Sequence, residues 1–317
     1  MTSGCLTALL GRDVVRVTGS DAAGFLQGQI SQDVESLADG ASAWSLLLTP
    51  QGRIDAWFRI TRSLADVFLI DVDAGYGAAV VARLERFRLR TDAAFEVLSG
   101  WRMLAVRGIG DTADDAAEAA VAEAAAEVRA EVDWPEWRGV DLLGPGLAAP
   151  AGTLPSAPQR FEAARIRAGW PRLGREITER TIPAEVGGLV EASVSFTKGC
   201  YTGQELIARI DSRGGNVPRP LRLLEIQDDT APLAATTVEV GGEAVGEITS
   251  SAPDPDLGVT VALAAVNRRV VVPAEAEVAG APAAVMPTPA SRRTHETASR
   301  PARGDQANAR RTPLGGG

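Results

Sequence analysis

From Leu221 onward, short segments rich in apolar and β-branched residues recur at spacings too tight for helices between them. They are Leu221–Ile226, Thr237–Val240, Ala244–Ile248, Val259–Leu263 and Val270–Val272. Gly, Pro and Asp separate them, as turn chemistry requires. Strands this short expose unpaired edges unless the sheet closes or stacks. The pattern therefore predicts a small antiparallel barrel or sandwich at the C-terminal end.

The N-terminal part alternates instead. Val14–Thr18 reads as a strand, and Ser20 or Asp21 then caps a helix through Phe25-Leu26-Gln27. Ala43–Leu48 and Ile54–Ile60 read as strands joined by the turn Thr49-Pro50-Gln51-Gly52, and Val67–Val72 as another. Helical spacing runs from Tyr76 to Leu89, with Val80, Leu84 and Phe87 on one face. Asp111–Glu131 is rich in Ala and acids and predicts a further helix. The fold class expected is α+β: a two-lobed region over 1–218 and a β-barrel over 219–286. From Pro287 the composition turns polar, with six arginines against two acids and almost no large apolar residue. Such a segment cannot repay its ordering entropy, so 287–317 is expected to be a disordered basic tail.

Charge and rare residues narrow the function. The chain carries −9 overall, and the tail's +4 leaves −13 on the body. An acidic body argues against direct binding of nucleic acid. There is no apolar run long enough for a membrane span, and Met1–Cys5 lacks a secretion pattern. With only Cys5 and Cys200, the expected location is a reducing cytoplasm. The one histidine, His295, lies in the tail, so multi-histidine zinc sites and histidine-based triads are excluded from the body. Gly108 and Gly110 form no phosphate-binding fingerprint. Arg83, Arg86 and Arg90 share one predicted helix face, which reads first as a solvated surface and alternatively as a grip for a polyanion.

One segment concentrates the rare residues. Ser195–Ile210 holds the only lysine, Lys198, and Cys200 between Gly199 and Gly203. Thr202 followed by Glu205 before an apolar run is a capping-box signature, which predicts a helix start near Gly203. Cys200 then lies near a helix N-terminus and two residues from a cation, and both effects favour a thiolate. The alternative is a small buried hydrophobe beside an ordinary cap. Cys5 reads as incidental.

Lys198-Gly199-Cys200-Tyr201-Thr202-Gly203-Gln204-Glu205 resembles the KGCYxGQE signature of the YgfZ family of folate-binding proteins, relatives of the glycine-cleavage T-protein and of a mitochondrial assembly factor for four-iron four-sulfur clusters. Phe25–Val34, Pro50–Ile54, Ala164–Pro171, Thr181–Glu185 and Val245–Ser250 are similar to further family segments, so the resemblance covers about residues 10 to 285. It implies a T-protein-like fold, with lobes around a central channel and a C-terminal antiparallel barrel. It also implies tetrahydrofolate in that channel, and a role in iron-sulfur cluster assembly or repair alongside assembly proteins or client enzymes, with an indirect effect on tRNA modification. Cys200 would be the functional thiol and a transient cluster ligand, with Lys198 keeping it ionised. Arg167, Tyr201, Gln204, Glu205 and Arg209 form the implied cofactor-binding set. Two positions depart from the T-protein pattern. Asp55 is followed by Ala56 rather than a second aspartate, leaving Asp55 as a base, an orienting group or a plain strand residue. Arg167 replaces a pterin-binding glutamate, and an arginine, having no acceptor, would suit folate's carboxylate tail instead. The runner-up function is a folate-dependent aminomethyl- or methyltransferase.

Overall fold

A computed structural model describes residues 5–109, 125–148, 158–211, 216–228 and 230–289. Its first half is an antiparallel sheet built on one long strand, β1 (Leu6–Thr18). The other strands of this sheet are β2 (Ser42–Leu48), β3 (Ile54–Leu64), β4 (Val67–Asp73), β5 (Ala94–Leu98), β6 (Trp101–Gly108), β7 (Val128–Trp134) and β8 (Trp137–Pro145). Their order is β2-β3-β4-β1-β6-β8-β7, with β5 also paired to β1. Leu6–Gly11 of β1 pairs with β6, whereas Arg12–Thr18 pairs with β4. One strand thus welds two half-sheets, and its 13 residues make that reach possible.

Five helices cover the sheet among the described residues: α1 (Ala22–Gln29), α2 (Gly77–Glu85), α3 (Pro158–Arg167), α4 (Leu189–Ser193) and α5 (Gln204–Asp211). α3 is the wedge between modules. Its Ala163 and Ile166 join the core over β2–β4, while its Phe161 and Ala164 join the core against β6–β8. The C-terminal strands β9 (Leu221–Ile226), β10 (Thr237–Val240), β11 (Glu243–Asp254), β12 (Val259–Val266), β13 (Ala274–Val278) and β14 (Ala281–Pro287) close a barrel in the order β10-β11-β12-β9-β14-β13. The period-2 alternation divides its residues cleanly. Leu224, Ile226, Ala262 and Ala264 fill the interior, while Leu221, Leu223, Val261 and Leu263 join the main core outside.

The α+β class and the closing barrel agree with the sequence reading, and several boundaries move. α2 stops at Glu85, short of the expected Leu89, because Phe87 and Arg88 donate to the carbonyls of Leu84 and Glu85, a tighter turn that ends with Arg90 at φ +54°. Arg90 therefore leaves the helix face it was expected to share with Arg83 and Arg86. Most of the helix expected over Asp111–Glu131 lies outside the described residues, but Val128–Glu131 belong to β7. Val270–Val272 is not a strand; pairing begins after Pro273, which has no N–H for a ladder. Pro287 ends β14 and Thr288 is buried, so the fold extends past the expected start of the tail, and 290–317 lie outside the described residues. The expected cap Asp21 precedes α1, but its carboxylate accepts the Asp92 N–H and gives the helix no side-chain cap.

Candidate functional site

The motif loop is held by the end of α1. A helix leaves its last carbonyls without partners and with partial negative charge. Lys198 answers this directly: its Nζ donates to the carbonyls of Gln27 (2.6 Å), Ile30 (2.7 Å) and Gln32 (2.9 Å). An ammonium has three protons, and all three are used. Burial pulls its pKa down to about 8, against the pull of Asp33 and Glu35. Lys198 therefore tethers the loop to the end of α1. Its Nζ also lies 5.1 Å from the Tyr201 ring centroid, and that ring is buried in the main core. Desolvation pushes the Tyr201 phenol up to about 12. Cys200 itself is exposed and free.

α5 begins at Gln204, one residue after the expected start, and the Gln204 carboxamide accepts the Tyr201 N–H at 3.2 Å. Glu205 and Arg209 are exposed on α5. The helix seats on the turn before β3 by glycine contact. A Cβ on Gly203, at φ +83°, would stand 2.5 Å from the Thr49 carbonyl oxygen, and one on Gly52, at φ +77°, would stand 2.4 Å from Leu206 Cβ. Both positions need left-handed backbone and bare space, so only glycine serves.

A tryptophan-lined cavity of about 350 Å³ lies between the two half-sheets, α3 and the segment Trp170–Arg175. Trp44 and Trp57 stack at 4.4 Å between centroids, and Trp170 lies 5.3 and 5.1 Å from them. Trp134 lies 5.8 Å from Trp170 and 5.6 Å from Phe161. Beneath the rings runs a buried ionic network. Asp141 holds Arg107 at 2.7 Å and Arg59 at 2.9 Å, and Arg59 also holds Asp71 at 2.9 Å, which in turn holds Arg12. Burial pushes the Asp141 carboxyl up, but the Arg107 and Arg59 guanidiniums outweigh it and hold it below the usual carboxylate range. Two buried donors in the lining, Arg107 Nε and Trp134 Nε1, have no hydrogen-bond partner among the described residues. Groups in that state cost free energy unless something accepts from them.

Cavity and motif are joined through Ser193. Its hydroxyl accepts from Trp57 Nε1 at 3.0 Å, and its carbonyl accepts from Ser31 Oγ at 2.6 Å. Ser31 also receives the Ser195 N–H, at its own carbonyl, on the approach to Lys198.

No family model matches the chain. It is 26% identical over 245 residues to the tRNA-modifying protein YgfZ of Edwardsiella ictaluri, covering 71% of this chain and 72% of that protein. It is 28% identical over 216 residues to a mitochondrial iron-sulfur cluster assembly factor, the IBA57 homolog of Pyricularia oryzae; this covers 66% of the chain but only 54% of that factor. The glycine cleavage system aminomethyltransferase T of Bartonella henselae superposes with a TM-score of 0.70 at 20% identity, covering 90% of this chain and 87% of that one. The chain is thus similar in sequence to YgfZ and IBA57 proteins and has the fold of the aminomethyltransferase.

The expected site residues fall in three places. Lys198, Cys200, Tyr201, Gln204 and Glu205 gather at the motif, with Arg209 further along α5. Arg167 is elsewhere: it pairs with Glu136 at 3.1 Å and Asp254 at 3.4 Å, outside the tryptophan cavity lining. Two carboxylates already claim its guanidinium, which displaces it from the expected role at a ligand's tail. Asp55 faces a different cavity and is paired to Arg83 Nε at 3.0 Å. The tryptophans and the Arg59–Asp141–Arg107 network are absent from the residues the sequence reading singled out. Their available signal is a charged residue inside an otherwise apolar strand, as in Trp57-Phe58-Arg59-Ile60 and Val140-Asp141-Leu142.

Proposed function

We propose that the protein is a folate-binding accessory factor for iron-sulfur enzymes, with a reduced folate in the tryptophan cavity and Cys200 as its working thiol. The observation that carries the reading is the pair of unpartnered buried donors, Arg107 Nε and Trp134 Nε1, among four tryptophans. A pterin is flat and presents ring acceptors beside amino and amide donors. The indoles offer stacking faces. The two free donors suit its acceptors, and Asp141, whose oxygens each hold one arginine, retains lone pairs for its donors. Arg175 in the same lining suits a glutamate carboxylate, whereas Arg172 is already paired with Glu162 at 3.3 Å. The bound folate would supply a one-carbon or redox-active pterin beside the motif, to which Ser193 links the cavity wall.

The named relatives bring cluster assembly and tRNA modification into this reading. A cluster would be cargo here, because Cys200 supplies one ligand where four are usual. The remaining ligands would come from an assembly protein or client enzyme. The aminomethyltransferase fold keeps group transfer as the second reading, and Asp55's commitment to Arg83 weighs against it as the reacting base.

Titrating the protein with tetrahydrofolate is expected to quench tryptophan emission to a 1:1 end point. Trp134→Phe keeps an aromatic face but loses the donor and part of the stacking area, so affinity should fall at least about tenfold, with one hydrogen bond alone worth about 1.4 kcal/mol. Absence of saturable binding sinks the folate assignment. Separately, Cys200→Ser should fail to restore cluster-enzyme activity in cells lacking the native protein; full restoration removes the thiol from the mechanism.

A further inference from the structure

A second cavity, of about 460 Å³, lies where the Thr49–Gly52 turn and the start of β3 meet α2. It is outside the tryptophan cavity; Tyr76 is the one residue that lines both. About half of its wall is apolar, from Leu47, Pro50, Ala56, Val80 and Phe87. Its polar end is fixed. Arg83 donates from Nε to Asp55 at 3.0 Å and from Nη2 to the Leu48 carbonyl at 3.0 Å, and its guanidinium carbon lies 3.9 Å from the Phe87 ring centroid. Two corners of the fork are thus anchored and the plane is stacked. The third corner, Nη1, is buried without a hydrogen-bond partner among the described residues. Arg86 lines the same space, and no carboxylate of the described residues is paired with it.

We propose that this cavity is a second binding site, for a small carboxylate with an apolar body, whose oxygens sit on Arg83 Nη1 and Arg86 while its body lies against Phe87 and Val80. The charge balance selects the class. Two guanidiniums face one resident carboxylate, Asp55, so a monoanion neutralises the site, whereas a phosphate dianion would leave it negative. A preset fork with one free edge suits a planar oxyanion. The site goes beyond the proposed folate role and does not depend on it.

The test uses benzoate as probe and benzamide as its neutral isostere, followed by ligand-observed NMR on the full chain with and without saturating tetrahydrofolate. Benzoate is expected to bind saturably, benzamide at least tenfold more weakly, and tetrahydrofolate should leave both results unchanged. Arg86→Gln, a substitution at an exposed residue, should weaken benzoate at least fivefold with no change in the thermal unfolding midpoint. Equal binding of benzamide, displacement of benzoate by tetrahydrofolate, or unaltered benzoate affinity in Arg86→Gln overturns the proposal. The folate reading stands or falls on its own titration.

Discussion

Asp141→Ala should destabilise the protein by about 3–5 kcal/mol, measured as a shift in the urea unfolding transition at neutral pH, and Asp141→Asn should rescue little of it. The carboxylate is 3% exposed and holds two arginines that are themselves 2% and 1% exposed. Removing one member of a buried ionic group leaves the others charged, desolvated and uncompensated, which is the expensive case. An asparagine preserves shape but not charge, so Arg59 and Arg107 would still repel one another. The pH dependence follows from the same pairing. Asp141 has its folded pKa depressed below the unfolded value of about 4, so its contribution is complete above that value. It is lost as pH falls toward the depressed folded value. Wild type should therefore lose stability steeply below pH about 4, and Asp141→Asn should show a shallower acid limb. An Asp141→Asn variant as stable as wild type at pH 7 would mean that the network carries no such weight.

That network also marks the limit of what the chain discloses before folding. β9 to β12 of the barrel are legible because each is a short apolar run between turn residues, and β2, β3 and β4 are legible for the same reason; β13 and β14, built largely from Ala, Glu and Pro, lack that signal. Arg59 and Asp141 look like interruptions of such runs. They become partners only through register: Arg59 stands opposite Asp71 on β4, and Asp141 stands opposite Ala105 on β6, two positions from Arg107. The four tryptophans come from positions 44, 57, 134 and 170, so their convergence depends on how β1 welds the half-sheets. No local pattern encodes it. The motif is the reverse case. Its loop, its glycines and its helix are readable locally, whereas the destination of Lys198 is not, since backbone carbonyls carry no side-chain signature. Arg167 is a related case: it reads as a lone cation at a family position, and its partners Glu136 and Asp254, distant in sequence, are not visible locally.

The role assigned to Lys198 has consequences opposite in sign to those of a thiol-activating lysine. As a tether it satisfies three carbonyls at the end of α1, and hydrogen bonds from a charged donor are worth about 1.5–3 kcal/mol each before solvent takes up part of the loss. The side chain is half-buried, so water can reach some of those carbonyls in a variant, and Lys198→Met should cost about 2–3 kcal/mol in all. Lys198→Arg should not restore it, because a planar five-donor fork cannot reproduce three bonds converging on one nitrogen. With the loop released, alkylation of Cys200 by iodoacetamide at pH 7 should accelerate in both variants. Were Lys198 instead present to keep the thiol ionised, Lys198→Met would slow alkylation, leave stability nearly unchanged, and be rescued by arginine, which carries the same charge. Urea unfolding and alkylation rate together therefore separate the two roles, and the three short contacts to Gln27, Ile30 and Gln32 favour the first.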